Sequence, residues 1–69
     1  MIECEGVVTD VGRGDLYSIE AAMGSARRKV LARRSGKLTK FNIKIVSGDR
    51  VLVEVSPYDL GRGRITRRL

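Results

Sequence analysis

The stretch ARRKVLARRSGKLTKFNIK, residues 26–44, carries eight basic side chains and no acidic one, and the fold turns on how it is read. Leu31, Leu38, Phe41 and Ile45 follow at spacings of seven, three and four, a helical periodicity that would make the run one long basic helix. Against that stands Ser35-Gly36 in mid-run, where a glycine costs about 1 kcal/mol relative to alanine. The other reading divides the run into a strand over 29–34, a break at Ser35-Gly36 and a short helix or turn near 37–41. The local pattern favours the division but leaves both readings open.

The flanks are plainer. Downstream, SGDRVLVEV (47–55) opens with a turn and then alternates strictly, Val51, Val53 and Val55 on one face and Arg50, Leu52 and Glu54 on the other, which predicts a half-buried strand. SPYDLGRGR (56–64) reads as a loop, because Pro57 ends a strand and two glycines flank Arg62. RITRRL closes the chain as a short basic strand. Upstream, IECEGVVTDV (2–11) reads as a strand with a bend or bulge at Gly6, GRGD (12–15) as a turn with Arg13 at its tip, and LYSIEAA (16–22) as a second strand. MGSA is another turn. The divided reading thus gives an all-β chain of five short strands with one short helix between the third and fourth. Five antiparallel strands in so short a basic chain fit a Greek-key barrel, the OB-fold, better than a sandwich.

Sixty-nine residues are expected to form one domain, 1–69, burying only about 60% of the surface the unfolded chain exposes, which leaves no room for a deep cavity. Cys4 is the only cysteine and there is no histidine, so one chain builds neither a disulfide framework nor a zinc site; no cofactor or metal is expected. Cys4 is read as a small apolar strand residue. No apolar run approaches a membrane span, and MIECEGVV lacks the basic start and apolar core of a signal peptide, so a cytoplasmic protein is expected.

The chain makes a poor enzyme, and no catalytic residue is assigned. Its serines have no histidine to activate them, and Glu3 and Glu5 share a strand face with nothing nearby to separate their pKa values. GRGD and GRGR are only loosely like phosphate-binding glycine loops.

Charge is more informative. The net charge is +6, but residues 1–24 hold five acids and one base, whereas residues 25–44 hold eight bases and no acid. Four of the five bases in residues 45–69 come after position 61. Such blocks predict a polarised surface facing a polyanion, with nucleic acid ahead of an anionic membrane. Arginines beside glycines, at Arg13, Arg62 and Arg64, suit close approach to a ribose-phosphate chain, and Arg33 and Arg34 extend the basic set. Tyr17, Phe41 and Tyr58 are the only aromatics; Tyr17 and Tyr58 read as readily as core as stacking platform, and Phe41 rather as core. Scarce stacking and abundant charge favour structured RNA over splayed single strands.

SGDRVLVEVSPYDLGRGRI, residues 47–65, resembles the C-terminal half of the bacterial translation initiation factor one family: a Gly-Asp-Arg/Lys turn, a valine-rich strand, Ser/Thr-Pro-Tyr-Asp-Leu and a basic Gly-Arg-Ile segment. SGKLTKFNIKI is similar to that family's Ser-Gly-Lys loop and short helix, and IECEGVVTDV with LYSIE to its first two strands. The resemblance spans nearly the whole chain and resolves the opening stretch in favour of the division. It implies an OB-fold factor that binds the small ribosomal subunit at the aminoacyl-tRNA site. There it would touch ribosomal RNA and a ribosomal protein, block premature tRNA access and act with the other initiation factors, as a monomer. By position it assigns RNA contacts to Lys37, Lys40, Lys44, Arg62, Arg64 and Tyr58, and to Tyr17, where the family usually has Phe. The other readings are a cold-shock-type RNA chaperone or general single-strand binder, and a structural ribosome-associated protein.

Departures from the family fall at Thr39, Phe41 and Asn42, where it has a basic residue, Asn or His, and Tyr. GRGD replaces a Leu-Pro loop, and the turn near 22–26 is about three residues longer. Arg33 and Arg34 stand where residues are commonly neutral, or His then Ile. An arginine at that isoleucine position predicts lost core burial and a shift of strand register.

Overall fold

The computed structural model describes residues 1–69. The elements are β1 (Ile2–Val11), a 3-10 turn (Arg13–Asp15), β2 (Tyr17–Met23), β3 (Ala26–Arg34), α1 (Gly36–Lys40), β4 (Arg50–Ser56) and β5 (Asp59–Arg68). The strands close into a barrel in the order β1-β2-β3-β5-β4, with β4 returning to β1. This is the OB-fold expected, with its short helix between the third and fourth strands. Closure leaves no long sheet edge to recruit another chain.

Alternation explains the core. Val51, Val53 and Val55 are fully buried, as are Ile19, Ala21, Val30 and Ile65 from the facing strands. Each buried aliphatic side chain contributes roughly 1.5–3 kcal/mol. Leu38 of α1 and Ile45 close one end of the barrel, and Cys4 lies in the same core as a free thiol. Glu3, Glu5 and Arg50 occupy outward positions on β1 and β4, where Arg50 pairs with Glu5. No helix is long and apolar enough to cross a membrane.

The opening stretch is divided, as the Ser35-Gly36 break predicts. Ser35, in extended conformation, caps α1 by accepting a hydrogen bond from the Leu38 backbone N–H at 3.4 Å. The helix runs over Gly36–Lys40, one residue earlier than expected, and β3 begins three residues earlier, taking in Arg27 and Arg28.

Four expectations are corrected. The strands are not all antiparallel: β3 and β5 pair in parallel, because α1 and the segment after it carry the chain across the barrel end before β4 descends and β5 rises beside β3. The β1 irregularity lies between Val8 and Asp10, whereas Gly6 pairs regularly with Ala21 and leaves its space to Ile19, whose Cγ2 would stand 2.5 Å from a Cβ. The segment 56–64 is not a loop. Pro57 and Tyr58 alone make the turn, and β5 already runs from Asp59. Gly63 lies inside that strand because a Cβ there would stand 2.5 Å from the Glu54 carbonyl oxygen. Finally, the β2–β3 turn is only Gly24 and Ser25, with Met23 opposite Ala26 and Gly24 at φ +63°.

Candidate nucleic-acid interface

Strand directions give the barrel two ends. One, the α1 end, gathers the 3-10 turn, the top of β3, α1, the 41–49 segment and the last residues of β5. The other carries the chain start, the Gly24 turn and the Pro57-Tyr58 turn.

Most of the basic residues predicted to contact RNA collect at the α1 end. Outward positions of the parallel pair bring Leu31 opposite Arg62 and Arg33 opposite Arg64, and with Leu16 these residues line an open groove of about 510 Å³. A second groove, of about 530 Å³, lies over Leu38 between α1 and the end of β5, and is lined by Lys37, Phe41, Ile43, Thr66, Arg67 and Arg68. Lys44 lines a smaller one beside Asn42 and Tyr17. No acidic side chain lines either of the two larger grooves. Arg13, Lys37, Lys40, Lys44, Arg62 and Arg64 are exposed and make no ion pair or side-chain hydrogen bond within the chain. Unpaired exposed cations are the ones free to neutralise phosphates. The polarity predicted from the charge blocks is only partial: Glu3 and Glu54 face each other across β1 and β4, but Glu54 also stands opposite Arg64 across β4 and β5, Asp15 lies at the α1 end, and Arg27 and Arg28 lie toward the Gly24 turn.

Three predicted residues do not join this surface as free contacts. Tyr17 is 3% exposed and belongs to the core, so it offers no ring face for stacking. Tyr58 is 96% exposed, but it stands in the β4–β5 turn at the opposite end of the barrel. Arg34 has a side chain only 13% exposed and is turned into the barrel mouth, because it follows Val30 and Ala32 on the inward-facing side of β3. It donates from Nη2 to Asp15 Oδ2 at 2.9 Å and from Nη1 to the Ile43 carbonyl at 3.0 Å. The expected register shift does not occur: β2 and β3 pair without interruption from Tyr17–Ala32 to Met23–Ala26. The arginine keeps its place by reaching polar partners at the mouth instead of displacing the strand. Arg33, on the outer side, donates from Nη1 to the Gly14 carbonyl at 3.1 Å while staying exposed.

Sequence reasoning missed three residues here. Phe41 is 62% exposed just past α1, with Lys40 Nζ 5.9 Å from its ring centroid. Its helical spacing from Leu38 suggested core, and only its position after so short a helix signals otherwise. Arg67 and Arg68 flank the same groove, and Arg68 Nη1 donates to the Lys44 carbonyl at 3.0 Å. They were legible only as part of a basic end.

No family model matches the chain. Among solved structures it is similar to translation initiation factor one from the Wolbachia endosymbiont strain TRS of Brugia malayi, with 37% identity over 99% of this chain and 77% of that one, and a TM-score of 0.77. It is also similar to YjeQ from Thermotoga maritima, with 26% identity and a TM-score of 0.75. That match covers 99% of this chain but 23% of YjeQ, so the chain spans about a quarter of that protein's length.

Proposed function

Because the chain belongs to the translation initiation factor one family, we propose that it binds ribosomal RNA at the aminoacyl-tRNA site of the small ribosomal subunit and blocks premature tRNA access. It does so in the cytoplasm, as a monomer, alongside the other initiation factors and against a neighbouring ribosomal protein. The observation that carries this reading is the α1 end itself: two grooves whose charged lining residues are all basic, flanked by cations that have no partner within the chain. The mechanism is occupancy. Lys37, Lys40, Lys44, Arg13, Arg62 and Arg64 neutralise phosphates, the grooves between them fit the contour of folded RNA, and the barrel's bulk excludes tRNA. No bond is made or broken.

The single-strand-binder alternative is weaker. A strand that relies on stacking needs successive aromatic platforms, and the two exposed rings, Phe41 and Tyr58, stand at opposite ends of the barrel.

Chemical footprinting of small subunits with and without the protein tests the proposal. Protection confined to the aminoacyl site is expected, together with affinity for subunits orders of magnitude above that for unstructured RNA of equal length at physiological salt. Equal affinity for the two would favour the chaperone reading.

A further inference from the structure

Arginines at the α1 end fall into two groups. One group has nothing to hold within the chain. The other holds backbone: Arg33 grips the Gly14 carbonyl, Arg68 the Lys44 carbonyl, and Arg34 reaches both the 3-10 turn and the segment after α1. Arg34 is the one that spans two loops. Its guanidinium lies between Asp15 and Ile43, its Nε is buried without a partner, and its side chain is nearly out of water. Arg34 lines the first groove beside Arg33 and Arg64, but two of its guanidinium nitrogens are already committed to Asp15 and Ile43. What it touches are the supports of two residues that do point to solvent, Arg13 and Lys44.

The turn it holds needs holding. Gly14 and Asp15 both adopt left-handed backbone, at φ +65° and +58°, and the second of these is unfavourable for a residue with a side chain. The turn's own bonds are few: Gly12 N–H to Leu16 O at 2.8 Å and Leu16 N–H to Arg13 O at 3.3 Å. The second loop is held on either side of Lys44, by Ile43 N–H to Leu38 O at 2.9 Å and by Arg68 Nη1 to the Lys44 carbonyl at 3.0 Å, and Arg34 adds the bond to the Ile43 carbonyl that ties it to the first. Loop residues lose conformational freedom on binding unless something fixes them beforehand.

We propose that Arg34 is a positioning residue: one largely shielded guanidinium fixes the turn that presents Arg13 and the segment that presents Lys44, so that two separate loops act as one preorganised phosphate-binding surface. The binding part of this rests on the ribosomal reading above; the ordering part does not. Lys37 supplies the internal contrast. It sits on α1, which is capped by Ser35 and anchored by Leu38, and Arg34 makes no hydrogen bond to it.

The test uses Arg34→Met, which fills similar space without charge, and Asp15→Asn, which keeps the shape of a side chain that is 60% exposed. Removing one partner of an ion pair is costly when the other charge is left buried, but the Asp15 side chain left behind is 60% exposed, so the methionine variant is expected to stay folded. Should it unfold, Asp15→Asn carries the test alone.

In amide hydrogen exchange on the free protein, Arg34→Met is expected to speed exchange at Gly12, Leu16 and Ile43 about tenfold, the scale of one lost charge-assisted hydrogen bond. Thr39, Phe41 and the β4 amides should not change. Asp15→Asn is expected to release Gly12 and Leu16 but not Ile43. Unchanged exchange at these loops, or equal acceleration throughout the barrel, overturns the proposal.

In binding to small subunits, the losses from Arg13→Ala and Lys44→Ala are expected to shrink severalfold in the Arg34→Met background, while the loss from Lys37→Ala keeps its full size. Three additive cycles would mean that Arg34 only stabilises the fold. If the wild-type protein does not bind small subunits, the functional reading falls, and hydrogen exchange still decides whether Arg34 orders the two loops.

Discussion

Phe41 and Tyr17 show how burial separates two aromatic residues that look alike in a sequence. Tyr17 fills the barrel beside Ile19 and Ala21, and truncating a large buried ring costs about 3–5 kcal/mol. For a domain of this size that is most of the stability, so Tyr17→Ala should be largely unfolded by circular dichroism at 37 °C. Phe41→Ala should keep its melting curve and instead weaken binding to small subunits, by about 1–3 kcal/mol if the ring stacks on a base. Unchanged affinity would leave the exposed ring without a role in RNA binding. Gly63 makes the same separation among glycines. A Cβ there would press on the Glu54 carbonyl and on Val55 Cγ1 at 2.9 Å, whereas at Gly61 the nearest atom is an Asp59 carboxylate oxygen at 3.6 Å. Gly63→Ala should therefore destabilise the barrel by about 1–3 kcal/mol in urea titration, and Gly61→Ala by much less.

Among the elements, α1 depends most on its surroundings. Five residues are too few to sustain a helix, so Gly36–Lys40 stays wound through the Ser35 cap and the burial of Leu38. Ser35→Ala should cost about 1 kcal/mol and lower affinity by loosening Lys37 and Lys40 together, with Ser35→Asn restoring both. A helix that needs its cap is also why this boundary was partly legible: Ser-Gly in mid-run weighs against a long helix, and the alternation from Val51 to Val55 leaves one reading of β4. The start of β5 was not legible, because glycines around Arg62 carry the composition of a loop, and only the neighbouring strand shows that Gly63 serves close packing. Arg34 was the hardest residue to read. Its partners, Asp15 and Ile43, lie 19 and 9 residues away in sequence, so local pattern gave only its charge. Sequence thus located the basic surface and most of its cations, but not which arginines face solvent and which hold backbone.

Across the whole molecule, that division changes what net charge predicts. A chain of +6 nominally offers RNA all fourteen of its bases, yet Arg27, Arg34 and Arg50 are paired with Glu20, Asp15 and Glu5, and Arg33 and Arg68 hold carbonyls. The unpaired cations on or beside the two larger grooves are Lys37, Arg62, Arg64 and Arg67, with Lys40, Lys44 and Arg13 at the same end. If each neutralises one phosphate, log K against log salt should fall with a slope of about −5 to −6. Lys44→Ala or Arg64→Ala should each flatten that slope by about 1, leaving folding unchanged. Glu3→Gln, on the acidic side formed by β1 and β4, should leave it unaltered. A wild-type slope near −2 would mean that most of these cations stay in water and that shape, not charge, holds the barrel on its partner. A slope near −5 that survived Arg64→Ala would move the interface off the β3–β5 groove and onto α1.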